Sequence, residues 1–147
     1  MDIKRLRTED KSELAKVSQC FDHPIQSDAA TRFLKSENHY ILVAYEHQAV
    51  AGFVTGVEIT HPDKGTEMFL YELGVAEKFR RKGVGTELVK ALADIARAQR
   101  CYGMWVLTAE DNIAALATHS AAGAQRESTA IMLSWKFSTD RLTRDER

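Results

Sequence analysis

Cysteine and proline are scarce in this 147-residue chain, with two of each. Cys20 and Cys101 stand far apart in sequence, without a CxxC or a Cys/His spacing suited to zinc. A disulfide framework and a structural metal site are therefore excluded, and both thiols are expected to be reduced and mostly buried. The two prolines and eight glycines gather into no linker, repeat or low-complexity tract, so residues 1–147 are expected to form one domain. No stretch approaches the roughly 18 apolar residues of a membrane-spanning helix. The start, Met1-Asp2-Ile3-Lys4-Arg5, carries charge where a secretion signal needs an apolar run. A cytoplasmic protein without membrane partners is the expectation. Charge of one sign is also missing: 20 Lys+Arg face 21 Asp+Glu, a formal net charge of −1. That balance excludes a broad basic surface for nucleic acid and an acidic disordered tail.

What is present is the composition of a globular domain, 44% hydrophobic and 28% charged. A chain of this length buries roughly 68–70% of its unfolded surface without help from metal or disulfide. Ile3 to Arg7 alternates apolar and polar residues as a half-buried strand does, and Thr8 then caps a helix through Val17. Phe21-Asp22-His23-Pro24-Ile25 reads as a loop, because proline disfavours helix in the residue before it, and a second helix begins at Ser27. His39–Glu46 and Ala49–Ile59 are β-rich and flank His47-Gln48, which predicts a hairpin with a tight turn. Met68 to Val75 (MFLYELGV) is a third strand whose near-continuous apolar character predicts burial on both faces, Glu72 excepted.

From Val84 the period changes. Val84, Leu88, Leu92 and Ile95 recur at helical spacing while Glu87, Lys90, Asp94 and Arg97 fall elsewhere, an amphipathic helix of about four turns. Gly103 is the expected C-cap, followed by a short strand from Met104 to Thr108. Asn112 to Ala122 predicts another helix ended by Gly123, and Thr129 to Phe137 a last strand before a frayed tail, residues 138–147. Trp105 and Trp135 read as core aromatics. Hairpin strands followed by strand–helix–strand–helix–strand predict an α+β, mixed-sheet fold.

The segment richest in chemistry is Lys78-Phe79-Arg80-Arg81-Lys82-Gly83-Val84-Gly85, which puts four cations just before a helix N-terminus. The helix macrodipole disfavours positive charge there by about 0.3–1 kcal/mol per well-placed cation. An anion at that position reverses the sign of the effect. Gly83 and Gly85 let the backbone turn tightly and aim several amides at one oxyanion, as phosphate sites do. Neither the GxGxxG of dinucleotide folds nor a P-loop fits, since Leu88 stands at the third glycine position and no lysine follows Gly85.

The strand MFLYELGV followed by Arg80-x-x-Gly83-x-Gly85 and an amphipathic helix resembles the acetyl-CoA-binding motif of the GNAT acetyltransferases. Asn112-Ile113-Ala114-Ala115-Leu116 and then Gly123 are similar to the next motif of that superfamily, in the expected order. The resemblance covers nearly the whole chain. It implies a mixed, mostly antiparallel sheet flanked by about four helices, acetyl-CoA as cofactor and a possible homodimer. Within the superfamily, Tyr71-Glu72-Leu73-Gly74-Val75 and the chain length look most like the small aminoglycoside 3-N-acetyltransferases. The partner so implied is a small-molecule cationic amine.

On this resemblance, the amides of Arg80, Arg81, Lys82, Gly83, Val84, Gly85 and Thr86 hold the pyrophosphate, and Asn112 opens the helix beside it. Leu73 and Val75 offer main chain to the pantetheine arm. Glu72 is the candidate base, a carboxylate in an apolar strand whose pKa burial should raise. His119 stands where many relatives carry a tyrosine that protonates the leaving thiolate, and Ala124 replaces the usual aromatic. Tyr71, Asp22, His23, Asp28, Glu110 and Asp111 are the candidate acceptor contacts. Rival readings are an acetyltransferase for a protein α-amine, lysine or polyamine, and a non-catalytic acyl-CoA-binding module.

Overall fold

A computed structural model describes residues 1–137. Its sheet runs in chain order, β1 (Asp2–Arg5), β2 (His39–Glu46), β3 (Ala49–His61), β4 (Gly65–Val75) and β5 (Met104–Trp105). Neighbours are antiparallel except β4 and β5, which are parallel. The helices are α1 (Glu13–Val17), α2 (Ser27–Lys35), α3 (Val84–Ala98) and α4 (Ile113–Ala121). This is the mixed α+β architecture that the sequence implies.

Local chemistry explains the connections. His47 and Gln48 both adopt positive φ, 48° and 69°, the geometry whose twist matches two antiparallel strands joined by two residues. A parallel neighbour for β4 needs a crossover, and α3 supplies it. α3 and α4 are each followed by a left-handed residue. After α4 this is Gly123 (φ 100°), with the Ala124 amide donating to the His119 carbonyl.

Alternation along β2 feeds two cores. Tyr40, Leu42 and Ala44 join Val54, Met68 and Leu70 beneath Leu88, Val89, Leu92 and Ala96 of α3. Ile41 and Val43 join Phe53 and Val50 on the opposite face, against Leu6 and against Leu14 and Val17 of α1. The pattern breaks once, in β4. Thr55 pairs with Glu72 but Gly56 pairs with Leu70, so Tyr71 is an extra residue, a β-bulge. Before the bulge Met68 and Leu70 face α3; after it Leu73 and Val75 pack with that same cluster. The shift in phase sends Glu72 and Gly74 to the other face.

Several sequence expectations need correction. The N-terminal helix is not continuous: Thr8–Asp10 and Ser18–Cys20 are single 3₁₀ turns flanking the short α1. β4 is not buried on both faces, because α1 and α2 cover the opposite side only over the earlier strands, leaving Tyr71 exposed. α3 ends at Ala98, and the left-handed residue after it is not Gly103 but Arg100, at φ 60°, where the Cys101 amide reaches the Ala96 carbonyl. The strand expected over 104–108 pairs only at Met104 and Trp105. Thr129–Phe137 joins no sheet, and Trp105 and Trp135 are exposed rather than core. Both cysteines are half-buried. The expected frayed tail lies outside the described residues.

Leu92 is fully buried between α3 and the sheet. Leu92→Ala is expected to lower unfolding free energy by about 2–5 kcal/mol, read from the midpoint and slope of urea denaturation.

Candidate active site

β4 and β5 stay in register only from Met68–Met104 to Phe69–Trp105. Beyond that, both chains line one cleft of about 1250 Å³, Leu70 to Ala76 on one wall and Val106 to Thr108 on the other. Gln19 to Asp22, the loop after β4, the start of α3 and one side of α4 complete it. β4 is hydrogen-bonded to β3 along its other edge, so its free edge presents main-chain groups to the cleft at Leu73 and Val75.

The basic end is built by backbone. Arg81 and Gly83 are left-handed, φ 62° and 81°, which folds the loop back onto the helix start. A Cβ at Gly83 would meet nothing, yet Gly83 favours that conformation as other residues do not. The first intrahelical bond runs from the Glu87 amide to the Gly83 carbonyl at 3.0 Å. The amides of Val84, Gly85 and Thr86 therefore point out of the helix end, and all three residues line the cleft. Gly85 is needed for a second reason: a Cβ there would lie 3.1 Å from Thr118 Cγ2, so its absence lets α4 close on α3. Asn112 caps α4, its side-chain oxygen accepting from the Ala115 amide at 3.1 Å. This cradle of outward amides in a cationic loop fits a pyrophosphate-bearing ligand.

The four loop cations do different things. Arg80 donates from Nε to the Val75 carbonyl at 3.1 Å, tying the loop to the end of β4. Lys78 and Lys82 lie over the Phe79 ring at 5.0 and 5.7 Å. Arg80 and Arg81 line the cleft, whereas Lys82 does not.

The other end is acidic. The Tyr71 bulge places half-buried Glu72 on the face from which Cys20, Phe21 and Asp22 approach. Gly74 permits that approach, since a Cβ would fall 3.0 Å from the Cys20 carbonyl and 2.6 Å from Phe53. Tyr71 stands 66% exposed at the rim, its ring 5.8 Å from Phe69. Asp22, Tyr71 and Glu72 thus share the cleft. The remaining acceptor candidates lie off it: Asp28 is exposed in the first turn of α2, Glu110 pairs with Arg126 at 2.8 Å, and His23 and Asp111 are not among the lining residues. Residues the sequence did not single out, Phe21, Val106 to Thr108 and Thr118, form much of the wall. They carry no chemical signature that sequence alone displays.

His119 lines the cleft and is buried, with 7% exposure. Burial pushes its pKa below the ordinary histidine value. Its lowered pKa makes folding favour the neutral ring. That stability contribution is complete above about pH 6.5 and is lost as pH falls through the unfolded value.

Comparison with known proteins follows from this geometry. Residues 3–124 match the profile of the acetyltransferase (GNAT) family. No curated protein sequence matches the chain. Among solved structures, the aminoglycoside acetyltransferase meta-AAC0020 from an uncultured soil metagenomic sample, crystallised with sisomicin, superposes with a TM-score of 0.85. It is 18% identical, over 93% of this chain and 96% of that one. AAC(6')-Iy in complex with the bisubstrate analogue CoA-S-monomethyl-acetylneamine gives 0.79 at 19% identity, over 92% and 98%. The ribosomal-protein-alanine N-acetyltransferase of Brucella melitensis biovar Abortus 2308 gives 0.70 at 20%, over 92% and 99%. At these identities the likeness is one of fold.

The His119 ring is expected to titrate below pH 6.5 in an NMR pH series. Stability should fall as pH drops below about 6.5, with a slope that is reduced in His119→Gln, measured by urea denaturation at each pH.

Proposed function

The chain belongs to the GNAT acetyltransferases, enzymes that use acetyl-CoA, and from that membership we propose that it acetylates an amino group of an aminoglycoside. The observation that carries the reading is the bulge at Tyr71, which turns Glu72 into the cleft between β4 and β5, opposite the amide cradle of the Arg80–Thr86 loop. When bound, acetyl-CoA supplies the activated acyl group. The amides of Val84, Gly85 and Thr86, with Arg80 and Arg81, hold its pyrophosphate, and the open edge of β4 at Leu73 and Val75 pairs with the pantetheine arm. A backbone amide of that edge polarises the thioester carbonyl.

Glu72 takes the proton of the acceptor ammonium, so that the free amine attacks directly and no covalent enzyme intermediate forms. Asp22 and Tyr71 hold the rest of a polycationic acceptor. His119, which lines the same cleft, is the candidate donor of the proton that the departing thiolate takes up. Charge supports this division: without Lys78, Arg80, Arg81 and Lys82, 16 of the 20 cations remain against 21 acids. A basic loop for the anionic donor and an acidic remainder for a cationic acceptor together give the near-zero total.

The sequence likeness favours the 3-amino position. Two solved relatives, AAC(6')-Iy and AAC(6')-IG from Acinetobacter haemolyticus, are named for the 6' position. Product mass spectrometry on singly amino-substituted aminoglycosides separates the two, and an α-amine peptide in the same screen tests the protein-acetylating alternative.

Glu72→Gln is expected to bind acetyl-CoA as the parent does and to lose about 10²–10⁴-fold in turnover, with thiol release as the readout. Unchanged turnover removes Glu72 as base. Loss of acetyl-CoA binding as well assigns it to positioning the strand instead.

A further inference from the structure

On the sheet face turned away from α3, the apolar cluster formed with α1 and α2 includes no described residue of β4 or β5. What lies bare there is aromatic. Met68 is fully buried under α3, so alternation turns Glu67 and Phe69 to the opposite face. Trp105, the partner of Phe69 across the parallel pair, stacks on it with ring centres 4.2 Å apart and planes at 21°. The Tyr71 ring stands 5.8 Å from that of Phe69. Trp105, Tyr71 and Leu107 are 37, 66 and 58% exposed. Single exposed apolar residues are ordinary, but adjoining rings left bare mark a binding surface. Tyr71 and Leu107 also line the cleft, so this shelf and the cleft form one continuous surface.

A carboxylate stands at each end of the shelf. Glu72 is at the cleft end, where the reacting amine is placed. Glu67 is at the other, its Oε2 accepting from the Tyr102 hydroxyl at 2.8 Å. That partner is neutral, so the negative charge of Glu67 is left for a ligand. The two carboxylates are five positions apart on β4, one of them the bulge at Tyr71. At the rise of an extended strand this sets them about 15 Å apart.

We infer that the shelf holds the part of the acceptor remote from the reacting amine. A further ring lies on Phe69 and Trp105, and a second ammonium pairs with Glu67. This rests on the aminoglycoside reading and gives that acceptor a length: charged amines about 15 Å apart require several linked rings. Aromatic faces suit such a molecule, because its C–H groups pack on them and its ammonium groups are drawn to their negative π-clouds. Trp105 and Glu67 stay clear of the reacting atoms, so their contribution falls on KM and not on kcat.

Neamine has two rings and sisomicin three, and both carry a 3-amine and a 6'-amine. With acetyl-CoA saturating and thiol release as the readout, the parent is expected to show a KM for sisomicin about tenfold below that for neamine. Trp105→Ala and Glu67→Gln should each raise the sisomicin KM about tenfold at constant kcat and shift the neamine KM less than about twofold. Trp105→Phe keeps a ring and should keep the low KM. Equal KM values for the two acceptors in the parent sink the shelf and leave the aminoglycoside reading standing. Variants that shift both acceptors alike do the same. A parent that acetylates neither compound overturns that reading, and this inference with it. Should either variant fail to fold, Trp135→Phe leaves Trp105 as the sole tryptophan. Sisomicin should then quench its fluorescence saturably and neamine should not; no quenching by sisomicin overturns the inference.

Discussion

Two parallel strands that pair at only two positions and then part are the constraint on which this molecule turns. Met68 and Phe69 meet Met104 and Trp105, and past that point β4 continues to Val75 beside a widening gap. Parallel neighbours require a crossover, so α3 must begin just beyond the open end of β4. The gap, the free main-chain edge and the positive end of a helix dipole are therefore brought together by topology alone. Chemistry for an anionic ligand along an extended arm follows from this arrangement before any particular side chain is considered.

The bulge at Tyr71 adds the second ingredient. A strand running without interruption would keep one phase from Met68 to Val75 and place residue 72 under α3 with Leu70. One extra residue reverses the phase. Apolar Leu73 and Val75 then continue the core, while a carboxylate and a glycine take the face toward the N-terminal segment. The same defect satisfies packing on one side of the sheet and supplies polarity on the other. Each side of the site is thus held by an element whose hydrophobic burial is already complete elsewhere.

What was legible in the sequence was what depends on near neighbours. The hairpin at His47-Gln48, the amphipathic face of α3, the Asn112 cap and the Gly123 stop are local signals, and the structure contains all four. The bulge was invisible because it is a property of pairing with β3, and β4 alone reads as an apolar run. The splay was hidden likewise, since how far β5 pairs with β4 is a property of two segments distant in sequence. At the site, the loop residues and Glu72 stood out by their chemistry. Glu110 and Asp111 were drawn in by closeness in sequence, which does not fix direction, and Glu110 turns instead to Arg126.

Gly74 has one further consequence. Because it lacks a side chain, the main chain of β4 at that level sits directly against the Cys20 carbonyl. Elsewhere in a protein, neighbouring segments are held apart by side chains whose lengths drift over evolution, and gaps between them widen or narrow accordingly. Backbone resting on backbone has no such adjustable spacer. The breadth of the cleft beside Glu72 is consequently a fixed gauge of the fold. Variation in what it admits is left to the groups standing above it, Asp22 and Tyr71, which change without moving the frame beneath them.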